Sequence, residues 1–350
     1  MFGANWWHKK ESPLFTGNHF GFGVNKDAED DGSPTFFSGS GGEVTDGVTP
    51  GNGYKYHYWK TPGTFSVGGN FSATTKQVDV LCVASGGQGG NRAGGGGGAG
   101  GVALASGTTW IPVTTAGTDI NITVGAAPPP NASPQPEGNK QDGNDSLFGS
   151  GAPTYQVEAA GGGAGGADSP GNSGGSGGGK MYDEGSAGSG TQPTKNPSMP
   201  WVTNYGHNGS KGHNGPNWNS GAGGGASGNA ADGSSSARGS AGNSQNFPDF
   251  DIPLYMPAPD PYRPGINPLP GYHYGGGGGA GAYGPPFSPQ NHSTSANNGG
   301  GGTGAPSIGD GTPGVNGLGG GGGGACGGTP GPGPAGGHGG AGIVVLRYQV

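Results

Sequence analysis

The sequence predicts an all-β protein with essentially no helix. Its expected form is a small β-sandwich-like base carrying glycine-rich excursions that pack as polyglycine or polyproline-II-type extended helices. Three observations predict this. Runs of β-branched and aromatic residues with a period of two cluster between Tyr54 and Val124 and return near the C-terminus. Glycine and proline, 91 and 32 of 350 residues, crowd the chain between those runs. Apolar spacing of the helical kind is nearly absent, and both glycine and proline disfavour helix and strand interiors.

Each strand has its own signal. Tyr54-Lys55-Tyr56-His57-Tyr58-Trp59 opens the base, and Pro62-Gly63 turns it into Thr64-Phe65-Ser66-Val67. Gly68-Gly69-Asn70 makes the next turn, and further strands are expected over 77–83, 102–105, 119–124, 155–159 and 343–348. Within 77–83, Val78, Val80 and Cys82 share one face while Leu81 and Val83 share the other. Both faces are apolar, so this strand should lie at the centre of a sheet covered on both sides.

Six glycine-rich blocks, 86–101, 161–179, 221–228, 275–284, 299–304 and 317–342, separate the strands. Collagen is excluded because 94–98 and 319–324 are unbroken glycine runs that no three-residue frame survives. Two readings remain: flexible linkers, or left-handed extended helices of three residues per turn that pair N–H and C=O groups with their neighbours. Ordering glycine costs roughly 0.5–1 kcal/mol more per residue than ordering alanine. The second reading therefore needs a dense hydrogen-bond lattice, each bond contributing a net ~0.5–1.5 kcal/mol.

Charge and motifs narrow the function. A formal net charge of −7 with only 14 basic residues gives no phosphate-binding stripe, so no nucleic-acid partner is expected. No apolar run is long enough to span a membrane. The start, with Trp6 and Trp7 ahead of Lys9 and Lys10, lacks the apolar core of a secretory signal, which points to synthesis in the cytoplasm. Two cysteines, Cys82 and Cys326, are too few for a disulfide scaffold.

Gly174 to Lys180 imitates a phosphate-binding loop, but Met181 stands where Ser or Thr must hold Mg²⁺. Asp27 to Gly32 imitates half of a calcium loop, with Ser38 where the bidentate Glu belongs. His207 and His213, six apart on a loop, have no Cys or carboxylate beside them, so no metal is expected. No nucleophile elbow or evident carboxylate pair appears, and the expectation is a protein that is not an enzyme and has no cofactor.

The ordered motifs carry a resemblance. Residues 54–59, Gly63-Thr64-Phe65-Ser66-Val67, Val78-Asp79-Val80-Leu81-Cys82-Val83-Ala84, Ile120-Asn121-Ile122-Thr123-Val124-Gly125, Gly143 to Gly149 and the closing Gly342-Ile343-Val344-Val345-Leu346-Arg347-Tyr348 resemble the glycine-rich domain of tail-fibre, adhesin and other virion proteins of tailed bacteriophages, of the marine type. The resemblance covers about residues 54–350. It implies a β-rich base that joins first and last strands, packed polyglycine excursions, and loops at their tips that bind a host surface. It also implies localisation in the virion and partners among other virion structural proteins, with a host glycan or outer-membrane protein as receptor and an oligomer as one form of assembly.

Two domains are expected: 1–50, an aromatic-rich virion-docking segment, and 51–350, the glycine-rich domain. Docking candidates are Trp6, Trp7, Phe15, Phe20 and Phe22. The loop excursions 180–218 and 246–274 supply the receptor-contact candidates: Trp201, Tyr205, His207 and Trp218 in one, Tyr255, Tyr262, Tyr272 and Tyr274 in the other. Large amphipathic rings on loops provide contact area at low entropic cost, yet a chain this poor in aliphatic residues also needs its aromatics as core. A capsid or tail decoration with a mechanical role is the alternative. An ice-binding or matrix protein on packed polyproline-II-type helices fits less well, since the aromatic insertions interrupt any flat regular face.

Overall fold

Residues 54–59 and 63–68 form two strands joined by the turn that Pro62-Gly63 predicts; they lie in different sheets, and the alternation of the second decides what faces inward. The computed structural model describes residues 37–45, 53–69, 76–106, 111–113, 118–130, 140–151, 155–181, 185–215, 218–250, 273–282, 299–327 and 333–350. All of them fall in one compact unit, Phe36–Val350. Trp6, Trp7, Phe15, Phe20 and Phe22, the acidic turn at 27–32, and Tyr255, Tyr262 and Tyr272 lie outside the described residues.

The strands are β1 (Ser38–Ser40), β2 (Glu43–Thr45), β3 (Tyr54–Trp59), β4 (Gly63–Gly68), β5 (Lys76–Val83), β6 (Val102–Ala105), β7 (Ile111–Val113), β8 (Asp119–Thr123), β9 (Ser146–Phe148), β10 (Val157–Ala159), β11 (Val202–Tyr205), β12 (Gln245–Asn246), β13 (His273–Tyr274) and β14 (Ile343–Gln349). Helical structure among the described residues is confined to two short 3-10 turns, Gln192–Thr194 and Pro248–Phe250. A five-stranded antiparallel sheet runs β1-β4-β8-β9-β10. A seven-stranded one runs β11-β6-β5-β14-β3-β2 with β7 also paired to β5, and β12-β13 form a small ribbon.

The two larger sheets enclose the main core. Phe65, Val67, Ile120, Ile122 and Phe148 from the first meet Val78, Val80, Cys82, Val344 and Leu346 from the second. The five-stranded sheet turns Thr64, Ser66, Asn121 and Thr123 outward, which is the polar-out pattern of a sheet solvated on one side. The larger sheet is covered on both faces. Leu81, Val83, Ile343 and Val345 point away from the sandwich into a second core with Phe247, Phe250, Tyr274 and Leu318. β5 thus lies between β6 and β14 with apolar packing on each side, as its sequence predicts.

Beyond β5, β6, β10 and β14 the chain leaves the sandwich as a lattice of extended glycine segments. Residues 94–101 are its axis, and their bonds repeat every third residue, the period of a polyproline-II helix. Gly95, Gly98 and Gly101 donate to Gly166, Gly163 and Ala160; Gly96 and Ala99 donate to Gly221 and Gly224; Gly97 and Gly100 donate to Gly322 and Gly319. The carbonyls follow the same rotation. Those of Gly95, Gly98 and Gly101 accept from Gly90, Gly87 and Ala84, those of Gly96 and Ala99 from Gly179 and Ser176, and those of Gly94 and Gly97 from Gly281 and Gly278. All these bonds are 2.8–3.1 Å. Three neighbouring segments take bonds and three give them, so the axis is surrounded hexagonally and its backbone groups are satisfied without a sheet.

Apart from Ala99, the positions of this axis have room for glycine alone. A methyl group on Gly97 would strike the backbone of Gly87 and Gln88. Where the lattice ends sideways, side-chain oxygens replace the missing neighbour. Asp142 and Asp145 accept from Ala164 and Gly161 N–H, and Asn229 and Asp232 from those of Asn208 and Lys211. Both pairs are spaced by three residues, in step with the turn of the segment that carries them.

The excursions contribute more to the base than their sequence suggests. β11 lies within 180–218 and pairs with β6, while β1 and β2 lie within 1–50 and extend the edges of the two sheets. Their alternation is too short to stand out against the surrounding polar residues.

Candidate functional site

The direction of the chain through the lattice fixes a far end. Strands begin or end at Val83, Val102, Ala159 and Ile343, so the turns at 91–93, 167–170, 234–237 and 306–308, with Gly215 and Trp218, lie at the end remote from the sandwich. Backbone bridges tie that end into a row, Asn219 to Ala282 to Cys326 to Gly309. Two of the exposed large apolar residues, Trp218 (41% exposed) and Ile308 (66%), flank the row.

Of the sequence candidates among the described residues, Trp218 is the one that faces solvent. Its N–H donates to Gly215 O at 3.1 Å, next to the bridge between His213 and Asn219, and its φ of +43° lies in the left-handed region. Bulky residues rarely adopt that conformation, and such strain concentrates where a side chain must be held in place. Nearby, Arg92 pairs with Asp168 at 3.4 Å on neighbouring turns. His213 donates its N–H to Asn219 O at 2.7 Å, and its buried Nδ1 has no partner among the described residues.

The other described candidates turn inward. Trp201 is half-buried against the main core. Tyr205 packs edge-on to Phe247, with centroids 5.3 Å apart, and burial pushes its phenol above the ordinary value. His207 is half-buried and belongs to the lattice through its backbone, accepting from Gly177 N–H at 2.9 Å. Tyr274 is fully buried and donates its hydroxyl to Phe250 O at 3.1 Å, so it offers no surface to a ligand. The structure brings Tyr205 and Tyr274 together around Phe247 as supports of the second core, away from Trp218.

Sequence reasoning passed over Arg238. It follows the 234–237 turn, is 7% exposed, and donates from Nη1 to Ala305 O at 2.6 Å and from Nη2 to Pro306 O at 3.4 Å. A lone arginine in a run of Gly, Ser and Ala is the signal that could have drawn notice. Among the described residues no group of three or more His, Cys, Asp or Glu side chains is placed to hold a metal ion. No helix among them is long and apolar enough to cross a membrane.

The base has its own polar cluster. His57 is buried among Trp59, Phe65 and Tyr348, with Nδ1 2.8 Å from Gly41 O and Nε2 3.3 Å from the Tyr348 hydroxyl. A carbonyl can only accept, so Nδ1 carries the proton and Nε2 accepts from Tyr348. Burial lowers the pKa of the ring below the ordinary histidine value.

The model of a family described as a glycine-rich domain matches residues 60–349, which takes in the lattice and the sandwich from the turn before β4 onward and leaves out β1, β2 and β3. No curated protein matches the chain.

Proposed function

Starting from a chain that belongs to the glycine-rich domain family, we propose that it is a non-enzymatic structural protein of a tailed-phage virion: a tail fibre, spike or similar appendage that contacts the host surface. The observation that carries this reading is Trp218, exposed and conformationally strained on a turn at the far end of a cross-bonded lattice. A rigid platform that ends in an aromatic face suits stacking on a sugar ring or an apolar patch of an outer-membrane protein, with little ordering cost on binding. Single-site affinity would be modest, and several copies on one particle would raise it by about 10²–10⁴ through avidity.

A capsid or tail decoration with a mechanical role is the second reading. It is favoured by the inward packing of Trp201, Tyr205 and Tyr274, which spends those aromatics on the fold. Adhesion of the purified full chain to host cells separates the two. Trp218→Ala should weaken adhesion roughly tenfold or more, the scale of an interface hot spot, with Tyr255, Tyr262 and Tyr272 changed together to Ala as a second arm. If both variants stay folded and adhere as the parent does, or if the parent does not adhere, the decoration reading replaces the adhesin.

A further inference from the structure

Among the described residues two arginines are buried, in opposite circumstances. Arg347 on β14 sits between two carboxylates, 2.9 Å from Asp79 Oδ2 and 3.5 Å from Asp249 Oδ2, and its charge is matched. Arg238 has carbonyl partners alone among the described residues. Among the described residues no carboxylate lies within ion-pair distance of it, and its Nε makes no hydrogen bond to them. Cys326 lies beside it, but burial pushes that thiol's pKa up, so it supplies no negative charge. Taking a charge out of water without an opposite charge is costly, and burial accordingly disfavours the guanidinium's charged form.

Position adds to the argument. Arg238 holds the carbonyls that lead into Pro306, Ser307 and Ile308, all exposed at the far end of the lattice. An arginine fork with donors left over beside an exposed turn is suited to carboxylate or phosphate, whose geometry it matches.

We propose that Arg238 anchors an anion-binding site at the far end of the lattice, which takes a carboxylate, phosphate or sulfate group carried by a surface polysaccharide. The identity of the carrier rests on the adhesin reading; the anion site itself does not. Arg238 supplies the charge and unspent N–H donors beside the exposed 306–308 turn. The site is partly desolvated, so its attraction is screened by salt less than a surface pair would be.

The test uses the full chain and small probes: inorganic phosphate, sulfate and glucuronate, titrated at constant ionic strength against chloride. Saturable binding should raise Tm by about 2 °C when the probe is near ten times its dissociation constant. Arg238→Gln, which can still cap a carbonyl, should abolish the shift, and Arg238→Lys should retain a weakened one. A purely structural arginine predicts a lower Tm in both variants with no anion-dependent component in any of the three proteins. That outcome, or an equal shift in parent and Arg238→Gln, overturns the proposal. If Arg238→Gln does not fold, the parent and Arg238→Lys still decide, because absence of a saturable shift in the parent is sufficient to reject it. Host adhesion is measured alongside. An anion shift without adhesion would refute the adhesin reading and leave the site, whereas adhesion indifferent to Arg238→Gln with no shift would refute the site and leave the adhesin.

Discussion

Arg347 on the last strand donates from Nε to Asp79 Oδ2, 2.9 Å away on the central strand, and joins residues 268 positions apart in the chain. The same guanidinium donates to Asp249 O at 2.8 Å and lies over the rings of Tyr54 and Phe250, 4.5 and 5.0 Å from their centroids. It thereby fastens the Pro248–Phe250 turn to the sheet and closes the second core.

Arg347→Met should cost up to about 3–5 kcal/mol, because it leaves the half-buried Asp79 carboxylate without its guanidinium. Asp79→Asn together with Arg347→Met should cost less than the sum of the two single changes. Denaturant unfolding of the four proteins in a double-mutant cycle measures this; additive losses would mean that the pair does not act as a unit.

Glycine substitutions should divide by position. Gly97→Ala places a methyl group on the backbone of Gly87 and Gln88 and should destabilise by at least about 1–3 kcal/mol. At Gly228 the nearest atom to an added methyl would be Asn243 N at 3.8 Å, so Gly228→Ala should be neutral or stabilise by up to about 1 kcal/mol. Thermal unfolding of both variants checks the contrast, and equal effects would speak against close packing at Gly97.

How much of this was legible in the sequence differs by element. The period of two marked β3, β4, β5, β6, β8 and β14 nearly to the residue, because each buries at least one continuous face. β1, β2 and β11 were not legible, since three or four residues with mixed burial carry no period. The glycine blocks suggested extended helices, but not which segment neighbours which; that depends on contacts between Gly97 and Gly322 or Gly278, far apart in sequence. The spacing of Asp142 with Asp145 and of Asn229 with Asp232 did encode the lattice edge, as a repeat of three that matches the helix turn. Aromatic content alone could not say that Tyr274 turns inward and Trp218 outward, because both follow or precede glycine-rich chain of similar composition.

Stability should fall as the solution becomes acidic. Burial lowers the native pKa of both His57 and His273 from the ordinary 6.5, so the unfolded chain takes up protons that the native state refuses. Their contribution is complete above that value and is lost as pH drops from about 6.5 through the depressed native pKa, at up to about 1.4 kcal/mol per pH unit for each group. His57→Phe should flatten part of that slope. Unfolding free energies of parent and variant between pH 7.5 and roughly pH 5 provide the comparison, and identical slopes would exclude His57 as a source.

Amide hydrogen exchange of residues 94–101 tests the lattice most directly. Each N–H of Gly95 through Gly101 has a backbone acceptor in another segment, at 2.8–3.1 Å. These amides should exchange as slowly as those of β14 (Ile343–Gln349), opening only when the whole unit unfolds. Exchange of 94–101 at random-coil rates while β14 stays protected would contradict the account, because the glycine blocks would then be linkers attached to a sandwich.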